Sequence, residues 1–181
     1  MRVVLVGLLL FAAAACSGGG TRATSTPAGA TSGPVTTAAP GELPSAEELC
    51  GLLPPAEWTQ AGLANAESPT INTDGPGTAY CTYAGTSGAS GGLEFDAFVH
   101  ENDADAEATL ETITGEGPEM TPVDLLGADT ALITSSESEY AAIAVRIGRF
   151  TFTIAIPASE SAEDQLTTLA NRVIDQSAFY R

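Results

Sequence analysis

The chain has 181 residues, 23 of them acidic and 6 basic, for a formal net charge of −17 at pH 7. All of the basic residues are arginine, and a surface so acidic repels phosphate backbones and anionic headgroups, which excludes nucleic-acid recognition. Without a lysine there is no P-loop, no Schiff-base chemistry and no Ser-Lys nucleophile.

Arg2 precedes an apolar run from Val3 to Ala15 that closes on Ala13-Ala14-Ala15-Cys16. A basic start, a short apolar core and small residues, in that order, form an export signal. The run falls short of the roughly 20 apolar residues a membrane span needs, and Ser17-Gly18-Gly19-Gly20 ends it. Cys16 in this position predicts a lipid-attachment cysteine, diacylglyceryl- and palmitate-modified after removal of residues 1–15. The mature chain is then held at the outer face of the cytoplasmic membrane, in the cell envelope. Ala13 stands where such signals usually carry leucine, and an ordinary secretory signal is the competing expectation; both export the chain.

Residues 16–44 are rich in Thr, Ser, Ala, Gly and Pro and poor in large apolar side chains, so they cannot bury enough surface to offset ordering entropy. They read as a disordered tether with an r.m.s. reach of about 30 Å, of a composition that would suit O-glycosylation. Residues 45–181 have the length of one domain, with no second linker inside them.

Within that domain Ser45-Ala46-Glu47-Glu48 is a capping box that starts a helix carrying Leu49, Leu52 and Leu53 on one side. Pro54-Pro55 breaks it, and Pro55 to Ala61 predicts a second short helix around Trp58 that stops at Gly62. Tyr80, Thr82 and Ala84 alternate with Cys81 and Tyr83, as Leu93, Phe95, Ala97 and Val99 alternate with Glu94, Asp96, Phe98 and His100. Two strands follow from this period of two, joined through the glycine-rich stretch from Gly85 to Gly92, a flexible hairpin loop. Asp103 to Thr114 predicts a helix with Asn102 or Asp103 as cap and with Ala106, Leu110 and Ile113 on one face. Its acids Asp103, Asp105 and Glu107 fail the calcium-loop pattern, since Ala108 occupies the position of the turn glycine. A strand at Asp129 to Thr134 comes next. Tyr140 to Ile147 and Phe150 to Ile156 then form a hairpin about Gly148-Arg149. An amphipathic helix from Ala162 to Ser177 carries Leu166, Leu169, Ala170, Val173 and Ile174 in one stripe. Short links between strands demand antiparallel pairing, so the expected fold is α+β: a single curved antiparallel sheet of about five strands with helices packed on one face.

With Cys16 assigned to lipid, Cys50 and Cys81 remain, and export into an oxidising compartment predicts a disulfide between them. A redox or metal pair would need a Cys-x-x-Cys or further ligands, and His100 is the only histidine. No residue pattern asks for a metal or a cofactor.

The order of these features resembles the actinobacterial lipoprotein family known as domain of unknown function 3558. The matching residues are Cys50-Gly51-Leu52-Leu53-Pro54-Pro55-Ala56-Glu57, Tyr80-Cys81-Thr82-Tyr83, Leu126-Gly127-Ala128-Asp129-Thr130-Ala131 and Leu169-Ala170-Asn171-Arg172-Val173-Ile174. The resemblance covers nearly all of residues 45–181 and implies an envelope lipoprotein with one disulfide. It carries over no catalytic or binding residues.

A catalytic triad would have to run through His100, beside Glu101, Asp103 and Asp105, and no Gly-x-Ser-x-Gly elbow presents a nucleophile; the 23 acids offer many pairs for paired-carboxylate hydrolysis, and nothing singles out one of them. The expected function is therefore a non-catalytic accessory module that contacts an envelope protein or wall component. Phe98, an aromatic on an otherwise polar strand face, marks the contact surface if exposed and is ordinary core if covered. The alternative is a carrier of a lipid or small apolar ligand, with Ala141 and Ala142 leaving room for a cavity.

Overall fold

The structure is a computed structural model that describes residues 43–63, 66–84, 93–116, 118–134 and 139–180. The export signal, Cys16, the tether up to residue 42 and the glycine-rich link all lie outside the described residues, whereas Leu43 and Pro44, read from sequence as the end of the tether, belong to the folded domain, Leu43 packing on its core and Pro44 O accepting from Gly77 N at 2.9 Å. Elements run in the order α1 (Ala46–Cys50), α2 (Pro55–Gln60), β1 (Thr70–Asn72), β2 (Thr78–Tyr83), β3 (Leu93–Val99), α3 (Asp103–Glu116) and β4 (Met120–Pro122). They continue with β5 (Thr130–Thr134), β6 (Tyr140–Ile147), β7 (Phe150–Pro157), α4 (Ala162–Gln176) and a closing 3-10 turn at Ala178–Tyr180.

The described strands form one antiparallel sheet in the order β1-β2-β3-β7-β6-β5-β4. It has seven strands rather than about five. The two additional strands are its edges, β1 and β4. Each spans only three residues, too few to display an alternation, and Pro122 in β4 lacks a donor for a further neighbour. Short, proline-bearing edges are a common way of preventing edge-to-edge association.

Residues directly opposite in an antiparallel pair share a face, so the registers sort the sheet into two surfaces. Phe95, Ile154 and Ile143 line one level of the first face, and Ala97, Phe152 and Val145 the next. Against this face pack α1 and α4, with α2 braced on α4. The stripe Leu166, Leu169, Ala170, Val173 and Ile174 is buried in the common core. Helix α1 opens on the expected box: Ser45 Oγ accepts from Glu48 N, and Glu48 Oε2 accepts from Ser45 N. The Cys50–Cys81 disulfide then ties α1 to β2. Beside it the buried Tyr83 donates its hydroxyl to the carbonyl of Leu53 at 2.6 Å and to that of Cys50 at 3.2 Å, which also accepts from Leu53 N at 3.2 Å, just past the end of α1. Trp58 is fully buried with its ring 4.9 Å from that of Tyr83. Burial pushes the Tyr83 phenol up, against a smaller pull from Trp58.

The helices do not all lie on one face. Helix α3 packs on β6 and β7 from the opposite side, where the fully buried Thr151 donates its hydroxyl to the carbonyl of Ala106 at 3.2 Å. Thr151 alternates with Phe150 and Phe152, so it points away from the main core. Ala106, Leu110 and Ala144 are buried here, outside that core. Asn102 is the cap of α3, its Oδ1 accepting from Asp105 N.

Candidate functional site

Because α3 covers β6 and β7, the second face of the sheet continues over β1, β2 and β3 with a different character. The register sets Thr78, Phe98 and Thr151 in one row and Asn72, Tyr80, Asp96 and Thr153 in the next. Phe98, Tyr80, Asp96 and His100 are half-buried, whereas Asn72, Thr82 and Glu94 are exposed. Phe98 is thus neither core nor fully open: it forms the middle of an aromatic row. The Tyr80 ring meets it edge-on at 5.7 Å, and His100 stacks along it at 6.4 Å. Edge and offset contacts of this kind hold the three rings in fixed relative positions.

Polar groups border the row. Tyr80 donates its hydroxyl to Asp74 Oδ2 at 2.8 Å, and this bond to a carboxylate is the main reason its phenol titrates above the ordinary value. Asp96 is the unusual member. Burial, and then the neighbouring Glu94 charge, raise its carboxyl to about 6, against a weak bond from Thr153 Oγ1 at 3.4 Å. Burial of this kind makes the carboxyl easier to protonate than an exposed one.

His100 is placed at the end of β3, its backbone N–H donating to Arg149 O at 2.9 Å. Burial lowers its pKa, with Asp105 acting in the opposite direction. Asp105 is occupied in the cap of α3, where its Oδ2 accepts from Asn102 Nδ2 at 2.8 Å, and His100 Nε2 has no hydrogen-bond partner among the described residues. The imidazole is therefore not oriented through Nε2 by Glu101, Asp103 or Asp105, the carboxylates nearest in sequence. Ala141 and Ala142, the pair whose small volume suggested a cavity, face opposite sides of the sheet. Ala141 sits in the main core opposite Ile156, and Ala142 lies on the second face opposite Ala155.

Sequence reasoning singled out Phe98 but missed Tyr80 and Asp96 beside it. The register supplies what was needed: once β2 pairs with β3 antiparallel, the polar-face residues of both strands fall into shared rows. Comparison with protein-family models and with curated proteins finds no match for the chain.

Proposed function

We propose that the chain is an exported envelope lipoprotein, anchored through Cys16 and carried on a Thr/Ser/Gly/Pro tether. Its folded domain is a non-catalytic module that contacts another envelope component through the second face of β2 and β3. The observation that carries this reading is the aromatic row of Tyr80, Phe98 and His100, half-exposed on a sheet face that α3 leaves open. Such a row with acids at its border suits a partner that brings apolar or aromatic side chains flanked by basic ones. A disulfide within the domain fits an oxidising compartment, in keeping with the lipoprotein family the sequence resembles. The interaction reading is favoured over that of a carrier because Ala141 and Ala142 do not pool their volume on one face.

The test is crosslinking in living cells with a photoreactive residue replacing Thr82 or Asn72, both exposed beside the row. A discrete adduct that disappears in a Phe98→Ser background is the expected result. Adducts no different from those of a probe on the exposed side of α4 would refute the proposal.

A further inference from the structure

Three large hydrophobic side chains are exposed among the described residues, and two of them, Leu126 at 95% and Phe179 at 75%, stand at the same end of the sheet. The registers establish this. Val99 pairs with Phe150, and Phe150 with Ile147. At that level Asp129 N donates to Arg146 O at 2.9 Å, which sets the turn carrying Leu126 beside the β6–β7 hairpin. Tyr180, next to Phe179, packs its ring on Phe150 at 5.5 Å. Strands β5 and β7 are separated only by β6, about 10 Å at ordinary strand spacing, so both tips can meet one surface.

The same end is where the chain enters the domain. Gly77 N donates to Pro44 O at 2.9 Å, Leu43 packs on Gly77, and Val99 N donates to Gly77 O. Everything from Cys16 to this point leads to the end bearing Leu126 and Phe179. Arg146 and Arg149 also stand here, Arg146 paired with Asp129 at 3.6 Å and Arg149 donating to the carbonyls of His100 and Glu101, with the acids Glu48 and Asp105 at the same end. Isolated exposed leucines are common on soluble proteins. Leu126 and Phe179 together at the one end where the chain enters the domain are a different matter.

We propose that this end docks on the outer leaflet that holds the lipid anchor, Leu126 and Phe179 entering the interfacial region by about 5–10 Å. The inference rests on the anchor at Cys16 proposed above. Weak insertion by two side chains suffices because the tether keeps the domain at high local concentration over the bilayer. The sheet then stands on end, and the Phe98 row faces sideways, open to a neighbour. Since the whole chain is acidic, a neutral interface is favoured over an anionic one.

The test uses the full mature chain in phosphatidylcholine vesicles, with spin labels at Leu126→Cys, Phe179→Cys and, as control, Thr112→Cys on the exposed side of α3. The labels at 126 and 179 are expected to lose collisions with an aqueous nickel reagent and gain collisions with oxygen, while the control does not. Adding phosphatidylglycerol should weaken the effect, and salt should restore it. In the unsubstituted chain, amide exchange at residues 125–128 should slow on vesicles. Acylated protein that floats with vesicles yet shows all three labels in water and unchanged exchange overturns the docking inference alone. A chain without acyl groups on Cys16 by mass spectrometry overturns the anchor, and the docking with it. Label–label coupling at 126 between copies in the absence of vesicles would assign this end to self-association and also overturn the inference.

Discussion

Reducing the Cys50–Cys81 bond isolates a single contribution to stability, because the chain and its packing otherwise stay the same. The bond closes a loop of sequence separation 31, and the loop-entropy relation gives about 3.7 kcal/mol of stabilisation at 25 °C for that length. Domains of this size hold only about 5–15 kcal/mol in total, so the loss is a large fraction. Trp58 is the only tryptophan and is fully buried, and its emission reports the transition in urea directly. The reduced chain should unfold at a clearly lower urea midpoint, and its slope should rise, since an uncrosslinked unfolded ensemble exposes more surface. The Cys50→Ala/Cys81→Ala variant should fall further, because both sulfurs are buried and their packing is lost as well. Equal midpoints for oxidised and reduced protein would refute the assignment of the bond as the principal staple of α1 to the sheet.

Other expectations follow from single residues. Tyr83→Phe removes the hydroxyl that donates to the Leu53 carbonyl at 2.6 Å, while the Cys50 carbonyl keeps the Leu53 N–H, and should cost about 1–3 kcal/mol and several degrees of Tm by calorimetry. Gly77 has φ +79, and an added Cβ would lie 2.9 Å from the Val99 carbonyl; Gly77→Ala should cost more than about 1 kcal/mol in urea unfolding. Asp96 titrates near 6 in the fold against an ordinary 3.8. A raised carboxyl contributes stability that is fully present below pH 3.8 and is lost as pH rises through about 6. Asp96→Asn should therefore gain on the order of 1 kcal/mol over the parent at pH 8, allowing for screening of a part-exposed group, and nothing at pH 3. A pH-independent difference between the two proteins would contradict this.

Local chemistry made much of the architecture legible. The capping box at Ser45, the hairpin about Gly148-Arg149 with its φ of +54, and the stripe of α4 lie where periodicity predicts them. Strands β1 and β4 escaped notice because three residues carry no period, and their pairing is decided by the neighbours they meet. The placement of α3 escaped for another reason. A strand that alternates Phe with Thr reads as one core face and one wet face, and nothing local says that Thr151 is roofed by a helix. The small residues Ala142 and Ala144 on the same side were the available hint, since a backbone approaching closely needs short side chains beneath it. The aromatic row was half legible: Phe98 stood out against its acidic neighbours, but Tyr80 and Asp96 join it only once two strands are set in register.

The junction of β3 with β7 divides the molecule in the order of its synthesis. Each half of the sheet, β1–β3 and β4–β7, is built from strands close in sequence, whereas the seam joins residues as distant as Glu94 and Ala155. Non-local pairings of this kind form late, after the local ones. Both cysteines, with α1 and α2, belong to the first half. On synthesis from the N-terminus both cysteines are in place before the C-terminal strands, so oxidation can precede closure of the sheet. The covalent bond then needs nothing from the C-terminal strands, and the second half arrives to find its template already fastened.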